Sequence, residues 1–459
     1  MQETLVPALA PSLDTLAADL AREMTDVAVF SVSGTSAESL KALLATEYQT
    51  GMTSAVLVGD LPVAWFQMID DWNSNGRREE DEHYEEFPCD LFFMDLDGTW
   101  QDNMVQLDSL DSLVPGVDSI HDLHEDAITP EIAVSRLAAS AVGNATTLLT
   151  AYFDRSHRYR NGGLAVTDRA LVYIDDDWLP SAAEWDNDVG ILYPDRVFVW
   201  EPETTRIADY RPRIDSADYQ WIALMSHSWP GGHAMYYHSR DSMDWFYASQ
   251  IPSLDPHANF YNLFACSNVR FVEPMYCGGC YVLRTSTGLG AIGSAKTGSM
   301  LEFADFYTPL AEGVSLGEAF RQWFEARLSD GCQNWERSWF YGMCLIADAA
   351  LKPRVPQTSI ADHSASSLLP PPSSLLGVRP LANPARNHVS LELSLAQSAL
   401  CRITLLDRTG RTVGTTARRQ LPAGTHRFSM DTQHLPAGVY FCAVTAGHTS
   451  TRLPLTVIH

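Results

Sequence analysis

Trp221-Ile-Ala-Leu-Met-Ser-His-Ser228 and Asn262-Leu-Phe-Ala-Cys-Ser-Asn268 are apolar runs of strand length, the first ending on His227 and the second on Cys266. In an open α/β sheet, ligands bind outside the carboxyl ends of the strands. Two such strands lying side by side would bring an imidazole and a thiol together, the minimum machinery of a cysteine hydrolase.

Further strand patterns lie at 27–32, 54–59, 91–94, 170–174, 196–200 and 290–293, and amphipathic helix patterns at 13–24, 36–48, 130–139 and 316–328. Strands alternating with helices predict a mostly parallel sheet covered on both faces. The composition changes after Pro353. Residues 357–377 are rich in Ser, Leu and Pro without helical or strand period, and read as a linker. Beyond it, His388-Val-Ser-Leu-Glu-Leu-Ser-Leu395, Cys401-Arg-Ile-Thr-Leu-Leu406, His426-Arg-Phe-Ser-Met430 and Val439-Tyr-Phe-Cys-Ala-Val444 are short strands between Gly, Pro and Asp punctuation. That spacing predicts a small antiparallel β-sandwich over 378–459.

The 459 residues, 46% apolar, are enough for a sizeable core and for two to four domains. With 57 acidic against 31 basic residues, the net charge of −26 argues against nucleic-acid binding, which needs a basic face. No stretch reaches the ~20 consecutive apolar residues of a membrane-spanning helix. Eight cysteines are too few for a disulfide scaffold in so long a chain. Cys277-Gly-Gly-Cys280 has no second pair to complete a zinc site, and packing is the expectation there, with a redox pair or disulfide the alternative. Asp95, Asp97 and Asp102 surround Gly98 in an acid-dense loop without EF-hand spacing; alternating carboxylates of this kind suit calcium.

Several segments, in order, resemble the gingipain-type cysteine peptidases of the caspase clan: Val56-Leu-Val-Gly-Asp-Leu-Pro62, the Asp-Leu-Asp-Gly core of 90–100, Pro130-Glu-Ile-Ala-Val-Ser-Arg136, Gly293-Ser-Ala-Lys-Thr-Gly-Ser-Met300 and Tyr341-Gly-Met-Cys-Leu-Ile-Ala-Asp348. The resemblance implies a caspase-like fold of two α/β subdomains with mostly parallel sheets, 1–141 and a catalytic 142–356, followed by the small all-β sandwich. It also implies roles. Cys266 is the nucleophile and His227 its general acid and base, with backbone N–H groups of Cys266 and Ser228 as the oxyanion hole. One of Asp175, Asp176 and Asp177 is expected to orient His227, Asp176 first among them. His233, in the loop Trp229-Pro-Gly-Gly-His233, is the rival imidazole or lines the cleft, and Ser294 and Thr297 are candidate substrate contacts. Calcium is common in the resembled family and would be structural, with no cofactor needed for the chemistry. Ser228 stands where the family commonly has Gly, and Ser267-Asn268-Val269 carries no Gly after the cysteine.

Asn383-Pro384, Leu405-Leu-Asp-Arg-Thr-Gly410 and Leu435-Pro-Ala-Gly-Val-Tyr440 resemble the sorting domain read by the type IX secretion system. The joint implication is a secreted or surface-attached endopeptidase acting on proteins or peptides, with the type IX machinery as partner. Residues 1–25 show no basic segment followed by an apolar core, so the sequence is expected to start downstream of a signal peptide. The alternative is a surface-displayed binding or adhesion protein on an inactive peptidase fold. A peptide ligase would share the same acyl-enzyme.

Overall fold

The computed structural model describes residues 1–356 except 76–77, 108–111, 126, 165–166, 238–241, 265 and 330, and, from 376 to 458, mainly the strands. Two compact units result, Met1–Thr358 and Ser359–His459. The predicted linker lies largely outside the described residues; the strand Leu376–Pro380 starts inside its last two positions.

In the first part of the large unit, helices α1 (Val6–Arg22) and α2 (Ala37–Tyr48) precede β1 (Ser54–Val58), the hairpin of β2 (Trp65–Ile69) and β3 (Tyr84–Pro88), and β4 (Ala133–Leu137). The Ser36 hydroxyl starts α2 by accepting from the Ser39 N–H at 3.2 Å. β1 and β4 pair in parallel. Three expectations fail here. Residues 130–139 hold a strand, because Ala133-Val-Ser-Arg-Leu137 is buried at every position as the partner of β1, leaving no polar face for a helix. Leu91–Met94 is a single helical turn rather than a strand. The 27–32 run forms no strand: only Val32 bridges, to Gln2, while Val29 stays 46% exposed.

The second part holds a six-stranded sheet built from β5 (Ala170–Ile174), β6 (Arg196–Val199), β7 (Tyr219–Met225), β11 (Ala258–Phe264), β12 (Gly290–Ser294) and β13 (Met343–Ala347). Their spatial order is β6-β5-β7-β11-β12-β13, parallel except for β13. Alternate residues enter different cores. Val172, Ala223, Phe260 and Ile292 pack in one cluster, Leu171, Ile222, Tyr261 and Ala291 in the other. With side chains alternating across a strand, this is a sheet buried on both faces, and it explains why its strands read as unbroken apolar runs. Helices including α3 (Ala145–Arg160), α4 (Ala182–Leu192), α5 (Cys277–Leu283) and α6 (Leu316–Leu328) supply the layers. Between β7 and β11 the chain makes a separate antiparallel sheet of β8 (His227–Trp229), β9 (Gly232–Tyr237) and β10 (Ser242–Tyr247).

In the small unit, Val389, Leu391, Leu393 and Leu395 of one sheet and Cys401, Ile403, Leu405, Cys442 and Val444 of another share one core at every second residue. That is the alternation of a two-sheet β structure. Among the described residues, no helix is long and apolar enough to cross a membrane.

Candidate functional site

Strand register brings the two reactive groups to the carboxyl ends of two central strands. β7 lies parallel to β11 with Met225 opposite Phe264, so His227 and Cys266 each stand two residues beyond a matched strand end. The Ser226 N–H donates to Phe264 O at 3.2 Å and the Asp175 N–H to Met225 O at 2.8 Å, holding three strand exits side by side.

His227 Nε2 lies 2.7 Å from Asp177 Oδ2, with the imidazole 29% exposed. Tyr236 meets its ring edge-on at 4.9 Å and Trp178 at 5.7 Å. Asp176, first choice for this contact, is not the partner. A 3₁₀ turn at Asp176–Ser181 rotates successive side chains by about a third of a turn. Asp175, extended just before the turn, points inward, its Oδ2 accepting from the Tyr236 N–H at 3.0 Å. Burial, then a hydrogen bond with Asp176, pushes its carboxyl up to about 8.

Cys266 is partly buried. Burial raises its thiol, and a hydrogen bond from the Gly298 N–H opposes that. Gly298 sits at φ +126° with its chain pressed on Trp339 and Ser338, where a Cβ would fall 2.7 Å from a carbonyl oxygen. Only glycine lets the backbone pass there. The missing glycine after the cysteine is made up by Ser267 itself, held at φ +58° with its N–H on Lys296 O at 2.8 Å. A left-handed serine costs roughly 1–2 kcal/mol and marks local strain of the kind found at functional sites.

His233 and Ser228 face the other way. Ser228 pairs with His233 and His233 with Phe246 across the small sheet, one row on its inner face. His233 is 1% exposed, hydrogen-bonds Ser228 Oγ at 2.7 Å and stacks on Phe246 and Tyr281. Burial pushes it down to about 3. It therefore neither lines the cleft nor replaces His227, and the Ser228 hydroxyl is likewise turned inward. Ser294 is fully buried, its Oγ accepting from the Lys296 N–H at 3.2 Å, so it shapes the turn after β12 rather than facing a substrate. Thr297 donates from N and Oγ1 to Glu85, at 3.0 and 2.5 Å.

Lys296 belongs to the Gly293–Met300 segment, but nothing local in the sequence marked its role. It is wholly buried between Asp70 Oδ1 at 2.8 Å, Glu85 Oε2 at 3.0 Å and Ser338 O at 2.7 Å. A buried ammonium needs such compensation, and here it ties the β2–β3 hairpin to the loop beside Cys266. The distance in sequence from Lys296 to its partners hid this cluster.

Among the described residues, Asp95, Asp97 and Glu131 form a group whose ligand oxygens lie within 4.8 Å of one another. Asp95 Oδ2 takes His124 Nε2 at 2.7 Å, while its buried Oδ1 has no hydrogen-bond partner, a donor set that fits a hard cation. Asp102 does not belong to this group: it accepts from the Asp118 and Ser119 N–H groups, capping a turn. Cys277 and Cys280 are free, buried thiols in α5.

Comparison with known proteins bears on the same segments. No curated protein matches the chain. Among solved structures, CopC from Methylosinus trichosporium OB3b is 23% identical over 15% of this chain and 74% of its own, with TM-score 0.13. An engineered protein solved at 1.98 Å is 10% identical, covering 71% of this chain and 77% of its own, with TM-score 0.14. The Cellulomonas fimi endo-beta-1,4-mannanase double mutant is also 10% identical, covering 71% and 76%, with TM-score 0.13. Scores that low carry nothing about the fold. The family models are decisive: residues 18–354 match peptidase family C25 and residues 382–457 match the secretion system C-terminal sorting domain. The chain therefore belongs to peptidase family C25, the gingipain family of cysteine peptidases, and ends in a type IX sorting domain.

Proposed function

We propose that the chain is a secreted cysteine endopeptidase of caspase-like architecture, with Cys266, His227 and Asp177 as its working groups. The observation that carries this reading is the hydrogen bond from His227 to Asp177 at the carboxyl end of the sheet, where Cys266 also emerges. With Nε2 engaged by Asp177, Nδ1 is the nitrogen left to exchange protons. The thiol gives its proton to Nδ1 as the sulfur attacks the scissile carbonyl. Backbone N–H groups of Cys266 and Ser228 then hold the oxyanion, a contribution of roughly 3–4 kcal/mol where such donors have been removed in other enzymes. As the C–N bond breaks, the imidazolium protonates the leaving amine. His227 next takes a proton from water, hydroxide attacks the thioester, and the thiol re-forms as the acid is released.

A basic residue before the scissile bond suits the site. Asp175 and Asp177 being engaged, the acidic group left is Asp188 of α4, which burial, Glu184 and Glu302 raise to about 7; a basic side chain bound beside it would return it to the charged form. Its neighbour in the helix, Trp185, packs 4.8 Å from the Phe264 ring, two residues before Cys266. Calcium at Asp95, Asp97 and Glu131 would serve structure, not chemistry. The sorting domain directs the chain through type IX secretion to the cell surface or beyond.

The test is cleavage of a mixed peptide library under reducing conditions with calcium, beside Cys266→Ala. Expected is cleavage after basic residues that the variant lacks. Equal turnover by the variant removes Cys266 from the mechanism, and folded protein without turnover favours a binding or adhesion role.

A further inference from the structure

The small sheet that carries His227 has a second, outward face. His227 pairs with Ala234 and Ala234 with Trp245; one row on, Trp229 pairs with Gly232 and Gly232 with Tyr247. Side chains two residues apart in a strand share a face. His227, Trp229, Trp245 and Tyr247 are thus on the same face, opposite the inward row of Ser228, His233 and Phe246. The central strand offers only Ala234 and Gly232 between them, both buried, and the Trp229 ring lies over Gly232, where a Cβ would come within 2.5 Å of it.

Three aromatic rings gather there. Trp229 packs edge-on against Trp245 at 4.9 Å and against Tyr247 at 5.8 Å. Trp245 is nevertheless 46% exposed and Tyr247 51%. The opposite side of β10 puts Phe246 at 0% exposure, so the strand has a core to bury aromatics in and keeps these two outside it.

We propose that Trp229, Trp245 and Tyr247 form a subsite for a large apolar or aromatic side chain on the leaving-group side of the scissile bond. The inference rests on the peptidase reading above. His227 must reach the amine that departs, so the substrate residues after the scissile bond are the ones that run past its face of the sheet. Trp229 stands two residues along β8 from His227, roughly 7 Å at ~3.4 Å per residue. An extended substrate spans the same distance in two residues, which selects the second residue after the cut. Aromatic pairing of exposed rings supports a preference of about tenfold at its upper end.

The experiment uses quenched-fluorescence peptides that differ only at that second position, Phe against Gly, with wild-type protein and Trp245→Ser/Tyr247→Ser. Expected is a Phe-over-Gly ratio in kcat/KM of about ten in the wild type, falling to within twofold in the variant. No preference in the wild type, or a ratio kept by the variant with an unchanged melting temperature, overturns the subsite. If folded wild-type protein cleaves neither peptide, the peptidase reading fails separately. The subsite is then judged on Cys266→Ala by tryptophan fluorescence: about tenfold tighter binding of the Phe peptide, lost when Trp245 and Tyr247 are replaced, upholds it, and equal binding of the two peptides overturns it.

Discussion

Asp177 meets His227 through the phase of one 3₁₀ turn, while Asp175 is placed by the extended residue before it, so three consecutive carboxylates do different work. Asp175 is buried against β9, Asp176 stands beside it and adds to the rise of its carboxyl, and Asp177 reaches the imidazole. An orienting carboxylate fixes the ring and stabilises the imidazolium that forms in each half-reaction. Asp177→Asn is expected to lower kcat/KM by about 10²–10⁴-fold with the melting temperature little changed, while Asp176→Asn costs far less. Comparing the two variants on one peptide checks this, and equal losses would mean that the loop matters rather than the contact. In the sequence the three aspartates were indistinguishable, since neighbouring residues share composition and only backbone dihedrals separate their directions. Ser267 is a second case: its left-handed φ supplies a turn that sequence reading expected from glycine.

At the scale of elements, strand parity decides which histidine is open to solvent. His227 and His233 lie on strands paired across one hairpin, but on opposite faces, so one imidazole is 29% exposed and the other is buried. The buried one carries a pH signature. Its folded value near 3 lies below the ordinary 6.5, so the unfolded chain binds more protons in between. Stability from His233 is therefore complete above about 6.5 and is lost as pH falls towards 3, on the order of 5 kcal/mol across that window. Thermal melts of His233→Gln should show a flatter acid limb than wild type from pH 6.5 to 4; an identical slope would place the acid sensitivity elsewhere. Apolar runs such as Ala170–Ile174 were legible as strands because both faces of their sheet are covered. The 130–139 segment misled because Ser135 and Arg136 look like a polar helix face. Both are buried, and Arg136 pairs with Asp90 at 2.6 Å.

At the scale of the whole molecule, contacts between distant segments complete the site. Lys296 joins Asp70 and Glu85 across more than two hundred residues, setting the loop that gives Gly298 to the sulfur. Glu131 likewise joins Asp95 and Asp97, where the local sequence nominated Asp102. If that group holds calcium, the ion at about 100 times its Kd adds about 2.7 kcal/mol to stability and raises the melting temperature by several degrees. Calorimetry with calcium and with chelator should show that shift in wild type and Asp102→Asn, and lose it in Asp95→Asn and Glu131→Gln; a shift surviving all three substitutions would put the ion elsewhere. The sequence by itself determined the α/β class, the small β unit after the composition break and the family, and it nominated the Cys266–His227 pair. Each of these is written in local pattern: apolar run length, alternation, and a reactive residue at a strand end. Only the tertiary structure decided which aspartate faces His227, which histidine is buried, what compensates Lys296 and which carboxylates converge. Those depend on backbone phase and on groups far apart in the chain, and neither leaves a periodic trace in the residues themselves.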